Sequence, residues 1–268
     1  MTIQAVCFDL DDTLLWDERS IEEAFHFTCL TAAEKTGIHA LELEASVRAE
    51  ARKLYESYET FAFTKLIGIN PFEALWAHFS AGTQAEFRAL EKLAPTYRLD
   101  AWTRGLQALG VNDNQLAAQL AEQFGAERRS RPYVYEETFQ ILNELKGHVK
   151  LLLLTNGCPA LQQEKLDGVP DLVPYFDEVI ISGSFGKGKP DRTIFEHALR
   201  LLEVQPQNVL MVGDKLTTDI KGSNSVGIHS VWINRDGKSR TNEIVPEFEI
   251  KHLSELHSIL QQAGGLKV

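Results

Sequence analysis

The residues able to do chemistry begin at the ninth position. An apolar run, Ile3, Ala5, Val6, Cys7 and Phe8, leads directly into Asp9-Leu10-Asp11-Asp12-Thr13. Such a run reads as a buried parallel strand. A buried strand that ends in acids is a local contradiction, because uncompensated buried carboxylates are costly. It resolves if the carboxyl end of the strand opens onto a crevice that holds a cation, which is where open α/β sheets bind ligands.

Taken alone, Asp-x-Asp-x-Thr also fits a turn that caps the next helix. Other reactive residues follow other apolar runs in the same way. Thr155-Asn156-Gly157 follows Leu151–Leu154. Gly186-Lys187-Gly188-Lys189-Pro190-Asp191 follows Val179–Ile181, and Gly213-Asp214 through Asp219 follows Val209–Val212. Four strand ends then supply an acid pair, a hydroxyl, a base and a second acid pair on one sheet edge. Phosphoryl transfer asks for such a set: an in-line nucleophile, charge neutralisation and a proton source for the leaving oxygen. Asp9 is the candidate nucleophile, and Asp11, two residues on, the candidate general acid and base. Thr155 and the Asn156 N–H would bind phosphate oxygens, and Lys189 would neutralise both phosphate and acids. Hard oxygen ligands together with a phosphate favour Mg²⁺. Lys187 and Lys215 read as solvated loop lysines, Asp12 and Thr13 as turn residues, and Asp191 as a helix N-cap.

The elements that must carry these residues follow from periodicity. Besides the first strand, Val149–Leu154, Val179–Ile181, Val209–Val212 and Ser230–Ile233 read as strands. Helical patterns over Glu136–Lys146, Arg192–Leu202, Thr217–Val226 and Leu253–Gln261 alternate with them. That rhythm predicts an α/β, Rossmann-like parallel sheet with helices on both faces. Residues 17–131 break it with helix formers alone: a Ser20/Glu23 capping box ahead of a first helix that stops near Gly37, then 40–58, 71–79, 84–93, 101–109 and 115–124. The expected organisation is a catalytic core of residues 1–16 and 132–268, with an all-helical cap domain of residues 17–131 inserted after the first strand and lying over the crevice.

Composition narrows the class. The chain has 268 residues, 44% hydrophobic and 24% charged, as a globular protein does. A formal charge of -11 argues against nucleic acid and against an anionic membrane surface. Cys7, Cys29 and Cys158 form neither a disulfide framework nor a zinc pattern. With no signal-peptide pattern and no long apolar run, a cytoplasmic protein is expected, as a monomer or homodimer.

These residues resemble the four motifs of the haloacid dehalogenase-like hydrolase superfamily. Asp9–Thr13 is similar to its first motif, Leu151–Thr155 to its second, Lys189 before Pro190-Asp191 to its third, and Gly213-Asp214 through Asp219 to its fourth. The resemblance implies a helical cap in the insert and metal binding by the side chains of Asp9 and Asp214 and the Asp11 carbonyl. Asp219 would act through water or from behind these ligands. The implied activity is Mg²⁺-dependent hydrolysis of a small phosphorylated metabolite through an aspartyl-phosphate. Asp11 disfavours dehalogenation, because halide leaves without a proton, and disfavours phosphonate cleavage, which uses a small residue there. A phosphomutase of the same fold is the alternative, and a non-catalytic phosphate-binding or signalling protein is the alternative from another class. Leu14-Leu15-Trp16-Asp17 resembles members acting on phosphoserine; sugar phosphates and nucleotides also remain open. Trp16, Arg52, Lys53, Tyr55, Tyr58, Thr64 and Lys65 are candidate substrate contacts, with core packing or a solvated face as the competing reading.

Overall fold

The computed structural model describes residues 2–240 and 243–262. Among them the chain forms two compact units. One takes in the chain up to Trp16, Val134–Asn156 and the chain from Val169 onward; the other consists of Asp17–Tyr133 and Gly157–Gly168.

The strands are β1 (Ala5–Phe8), β2 (Lys150–Thr155), β3 (Glu178–Ile181), β4 (Val209–Gly213), β5 (His229–Ile233) and β6 (Phe248–Ile250). The helices in chain order are α1 (Asp17–Thr36), α2 (Ala40–Ser57), α3 (Phe61–Ile67), α4 (Pro71–Ala74), α5 (Ala85–Gln107), α6 (Asn114–Arg129), α7 (Thr138–Leu145), α8 (Pro159–Asp167), α9 (Ser182–Phe185), α10 (Arg192–Leu202), α11 (Lys221–Val226) and α12 (Leu256–Gln262).

All six strands of the first unit are parallel, in the order β3-β2-β1-β4-β5-β6. The α/β reading of the sequence therefore holds, with β6 added at the edge. The chain runs outward from β1 through β2 to β3, then returns to place β4 on the other flank of β1. That reversal opens a crevice at the carboxyl ends of β1 and β4. Register fixes what stands there: Phe8 pairs with Leu153 and with Val212, and the Asp9 N–H donates to the Val212 carbonyl at 2.9 Å.

Apolar side chains on both faces hold the sheet. Ala5, Cys7, Leu152, Leu154, Val209 and Met211 are buried in one cluster with Ile194, Phe195, Ala198 and Leu202 of α10. The spacing of those four residues is one helical stripe, and Asp191 caps the helix by accepting from the Thr193 N–H. Each large side chain buried in this way contributes roughly 2 kcal/mol. The alternate strand residues Val6, Phe8, Leu151, Leu153, Leu210 and Val212 are buried too, as are Ile141, Leu142 and Leu145 of α7.

In the helical unit α1 packs on α2 and α6, and α5 packs on the same two. Its centre is aromatic, with the Phe25 ring 4.5 Å from Phe124 and 6.0 Å from Trp102. Helix α5 is continuous through Pro95, where the sequence suggested two helices; Ala94, Tyr97, Ala101 and Trp102 bury one face across the proline. The expected 71–79 helix shrinks to α4, and α3 appears where none was expected. Ser20 is no N-cap: α1 begins at Asp17 and Ser20 is buried within it. No helix among the described residues is long and apolar enough to cross a membrane.

Candidate active site

The site lies wholly within the α/β unit, where the strand ends converge. Lys189 is its hub. Its Nζ lies 2.6 Å from Asp9 Oδ1 and 2.7 Å from Asp219 Oδ1, and all three side chains are buried. Asp9, Asp214 and Asp219 each offer a carboxylate oxygen within 4.8 Å of the others. Asp219 is fixed on its far side, where Oδ2 accepts from the Lys215 N–H at 3.0 Å. Its neighbour across the strand end must be glycine: a Cβ on Gly213 would stand 2.4 Å from Asp219 Cγ. The residue type at 213 and the position of the fourth acid are thus one requirement.

Charge is unevenly matched here. Burial pushes the Asp9 carboxyl up, Lys189 pulls it back, and Asp219 adds to the rise. Burial also raises Asp214 well above the usual carboxylate range, against the nearby Lys215 ammonium. Burial alone would depress Lys189, but Asp219 and Asp9 outweigh it and hold the amine above its ordinary value. Asp214, then Asp9, Asp11 and Asp12, do the same for Lys215, which stays exposed on its loop. Asp9, Asp11, Asp12, Asp214 and Asp219 outnumber Lys189 and Lys215, which leaves an excess of negative charge, and Asp214 Oδ1 is buried without a hydrogen-bond partner among the described residues. An all-oxygen donor set with an unsatisfied carboxylate oxygen fits a hard divalent cation.

The other sequence candidates take definite places. Thr155 ends β2 and is buried. The Asn156 side chain grips the backbone of Lys189 from both sides: its Nδ2 donates to the Lys189 carbonyl at 2.9 Å, and its Oδ1 accepts the Lys189 N–H at 2.8 Å. Asn156 therefore orients the lysine as well as offering its own N–H. Asp11 lies in the tight turn Leu10–Leu15, outside the three-acid group, and Asp12 beside it has φ +61°. Lys187 pairs with Asp191 at 3.1 Å on the surface. Of the aromatic and polar candidates in the helical unit, Tyr55 and Thr64 are buried, and the Tyr55 hydroxyl donates to the Ile69 carbonyl, so both serve packing. Lys53 pairs with Glu50, and the Arg52 guanidinium stacks over Phe72.

Comparison with known proteins extends these findings. The sequence profile described as "haloacid dehalogenase-like hydrolase" matches residues 3–227. Over 258 residues the chain is 34% identical to phosphoserine phosphatase of Thermus thermophilus, covering 95% of this chain and 98% of that protein. It is 34% identical over 168 residues to N-acylneuraminate-9-phosphatase of Mus musculus, covering 61% of this chain and 67% of the other. Among solved structures, the HAD-hydrolase YfnB from Bacillus subtilis, described as bound to magnesium, aligns with a TM-score of 0.67 over 97% of this chain and 99% of its own, at 22% identity.

Proposed function

The chain belongs to the haloacid dehalogenase-like hydrolases and is a phosphatase, and we propose that it hydrolyses a small phosphate monoester through a phosphorylated Asp9. The observation that carries this reading is the Lys189 bridge between Asp9 and Asp219, with Asp214 alongside at the end of the next strand. Asp9 attacks phosphorus in line, and the bond to the ester oxygen breaks as Asp11 gives that oxygen a proton. Asp11 then takes a proton from water, which attacks the aspartyl-phosphate and releases inorganic phosphate, restoring both carboxyl groups. Thr155 Oγ1, the Asn156 N–H and Lys189 Nζ hold the phosphoryl oxygens as charge builds on them.

Asp9 and Asp214, with the Asp11 carbonyl and with Asp219 behind them, would hold Mg²⁺, which would neutralise charge on the phosphoryl group. In this reading residues 17–131 form the cap that selects the substrate. Phosphoserine leads the substrate classes, because the likeness to a phosphoserine phosphatase runs nearly the full length of both chains. Sugar phosphates and nucleotides follow.

Phosphate release from a panel of such esters, with Mg²⁺ and with chelator, tests the reading, with Asp9→Asn as control. Metal-dependent release that the variant loses is expected, and chelation should be reversed by added Mg²⁺. Release unaffected by the substitution would overturn the assignment of Asp9. A stable phosphoenzyme without net release would point instead to a phosphomutase.

A further inference from the structure

The turn that carries Asp11 is held by a residue the reaction itself does not call for. Leu10–Leu15 is closed from inside by the N–H groups of Leu14 and Leu15, both donating to the Leu10 carbonyl at 2.9 Å, and by the Asp12 N–H donating to the Leu15 carbonyl at 2.7 Å. Asp12 sits in the left-handed region at φ +61°, a conformation that needs its surroundings to hold it. The outward-facing carbonyls are gripped from elsewhere. Leu14 O accepts from the Tyr135 N–H at 3.1 Å and from Thr138 Oγ1 at 2.9 Å. Thr13 O accepts from Arg235 Nη2 at 3.0 Å, across 222 residues of chain.

Arg235 uses both terminal nitrogens and one face of its guanidinium at this point. Nη1 donates to Glu137 Oε1 at 2.6 Å, and the plane lies 3.5 Å from the centroid of the Tyr135 ring. Tyr135 in turn stacks on Trp16, the residue that follows the turn, at 5.2 Å and 17°. Glu137 is buried and accepts from the Leu253 N–H, so the partner that aims Arg235 is itself fixed. The loop that presents Arg235 is closed by Asn234, whose side chain donates to the Lys238 carbonyl and accepts the Lys238 N–H. A planar fork that binds a carbonyl, a carboxylate and a ring at once is a task lysine can copy only in part.

We infer that Arg235 is a positioning residue for Asp11, clamping the Leu10–Leu15 turn so that the carboxyl group is aimed at the leaving oxygen. This rests on the reading of Asp11 as general acid. An acid matters most where the leaving group is a poor one, so loosening the clamp should be felt by alkyl esters and hardly by aryl esters.

The test compares wild type, Arg235→Met, Asp11→Asn and the double variant on p-nitrophenyl phosphate and on an alkyl ester (O-phospho-L-serine or glycerol 2-phosphate, whichever turns over faster). Arg235→Met should lower kcat on the alkyl ester by about tenfold and on the aryl ester by less than about threefold, with KM little changed. In the Asp11→Asn background it should add no further loss on the alkyl ester. Equal losses on both esters, while Asp11→Asn discriminates between them, would overturn the clamp and leave the acid role standing. The same holds if the loss persists undiminished in the double variant. Should Asp11→Asn itself fail to discriminate, the acid role falls and the clamp with it. If Arg235→Met does not fold, as a melting curve will tell, Arg235→Lys should show the same discrimination with a smaller loss, and an even loss overturns the inference.

Discussion

Each unit of this protein buries a cluster of charges, and the two clusters are built to opposite ends. In the helical unit, Asp17 and Glu73 face Arg128 and Lys165. Arg128 Nη2 lies 2.6 Å from Asp17 Oδ1, and Lys165 Nζ lies 3.3 Å from Asp17 Oδ1 and 3.2 Å from Glu73 Oε1. Glu73 also closes a capping box with Asn70 at the start of α4. Two acids meet two bases, and although burial raises Asp17, Lys165 and Arg128 outweigh it and bring the carboxyl down to about 2. Among the described residues of the α/β unit Lys189 bridges Asp9 and Asp219 alone, Asp214 stands beside them with only the exposed Lys215 near it, and Asp9 and Asp214 are held above their ordinary values instead. A balanced buried cluster fixes structure. An unbalanced one stores a demand for positive charge, which a cation and a phosphoryl group in transit can meet together.

The largest effect expected from this contrast is on catalysis. Asp9→Asn keeps the shape of the side chain but removes the nucleophile, and kcat should fall by about 10³-fold or more while the melting temperature holds. Turnover above roughly a tenth of wild type would contradict the assignment of Asp9. Next comes stability in the helical unit. Lys165→Met leaves Glu73 and Asp17 short of a buried partner, and denaturant unfolding should show a loss of about 3 kcal/mol. A loss under roughly 0.5 kcal/mol would mean that this cluster is no more than a solvated surface pair.

Acid should reach the balanced cluster in a defined window. The Asp17 carboxyl is lowered when folded, so its contribution is fully present above its unfolded value near 4 and is lost as pH falls through about 2. Unfolding free energy should drop by about 2 kcal/mol across that window, and Asp17→Asn should abolish this part of the dependence. An unchanged slope in the variant would assign the acid sensitivity to other groups.

What the sequence made legible follows from how local each signal is. Apolar runs named β1 to β5, and the acids, threonine and lysine that follow β1, β2, β3 and β4 named the crevice, because strand and site residue are neighbours in the chain. Strand β6 escaped, since Phe248-Glu249-Ile250 is too short to show a pattern. Pro95 misled, because the rule that proline breaks a helix is local while the buried face of α5 is set by other helices. Lys165 and Arg235 carried no signal at all. Lys165 meets Glu73 across 92 residues and Arg235 meets Glu137 across 98, and Asn234-Arg235-Asp236-Gly237 reads as an ordinary turn. Asn156 was singled out for its N–H, whereas its side chain, 33 residues from Lys189, does the orienting.

The smallest effect is the one that most sharply separates the two clusters, because its sign is reversed. Removing a charge from the balanced cluster costs stability; removing the acid that Lys189 does not bridge from the unbalanced cluster should add it. Asp214 is half-buried, its Oδ1 is shut off from solvent and lacks a hydrogen-bond partner among the described residues, and Asp9 and Asp219 both repel it. In metal-free protein, Asp214→Asn relieves that repulsion and keeps the volume, and denaturant unfolding near neutral pH should show a gain of about 1 kcal/mol. Added Mg²⁺ should raise the melting temperature of wild type and leave that of the variant nearly unmoved, since ligand binding to the folded state is what stabilises it. A variant less stable than wild type without metal would mean that Asp214 is held by contacts of its own. The acids at the strand ends would then be as settled as those among the helices.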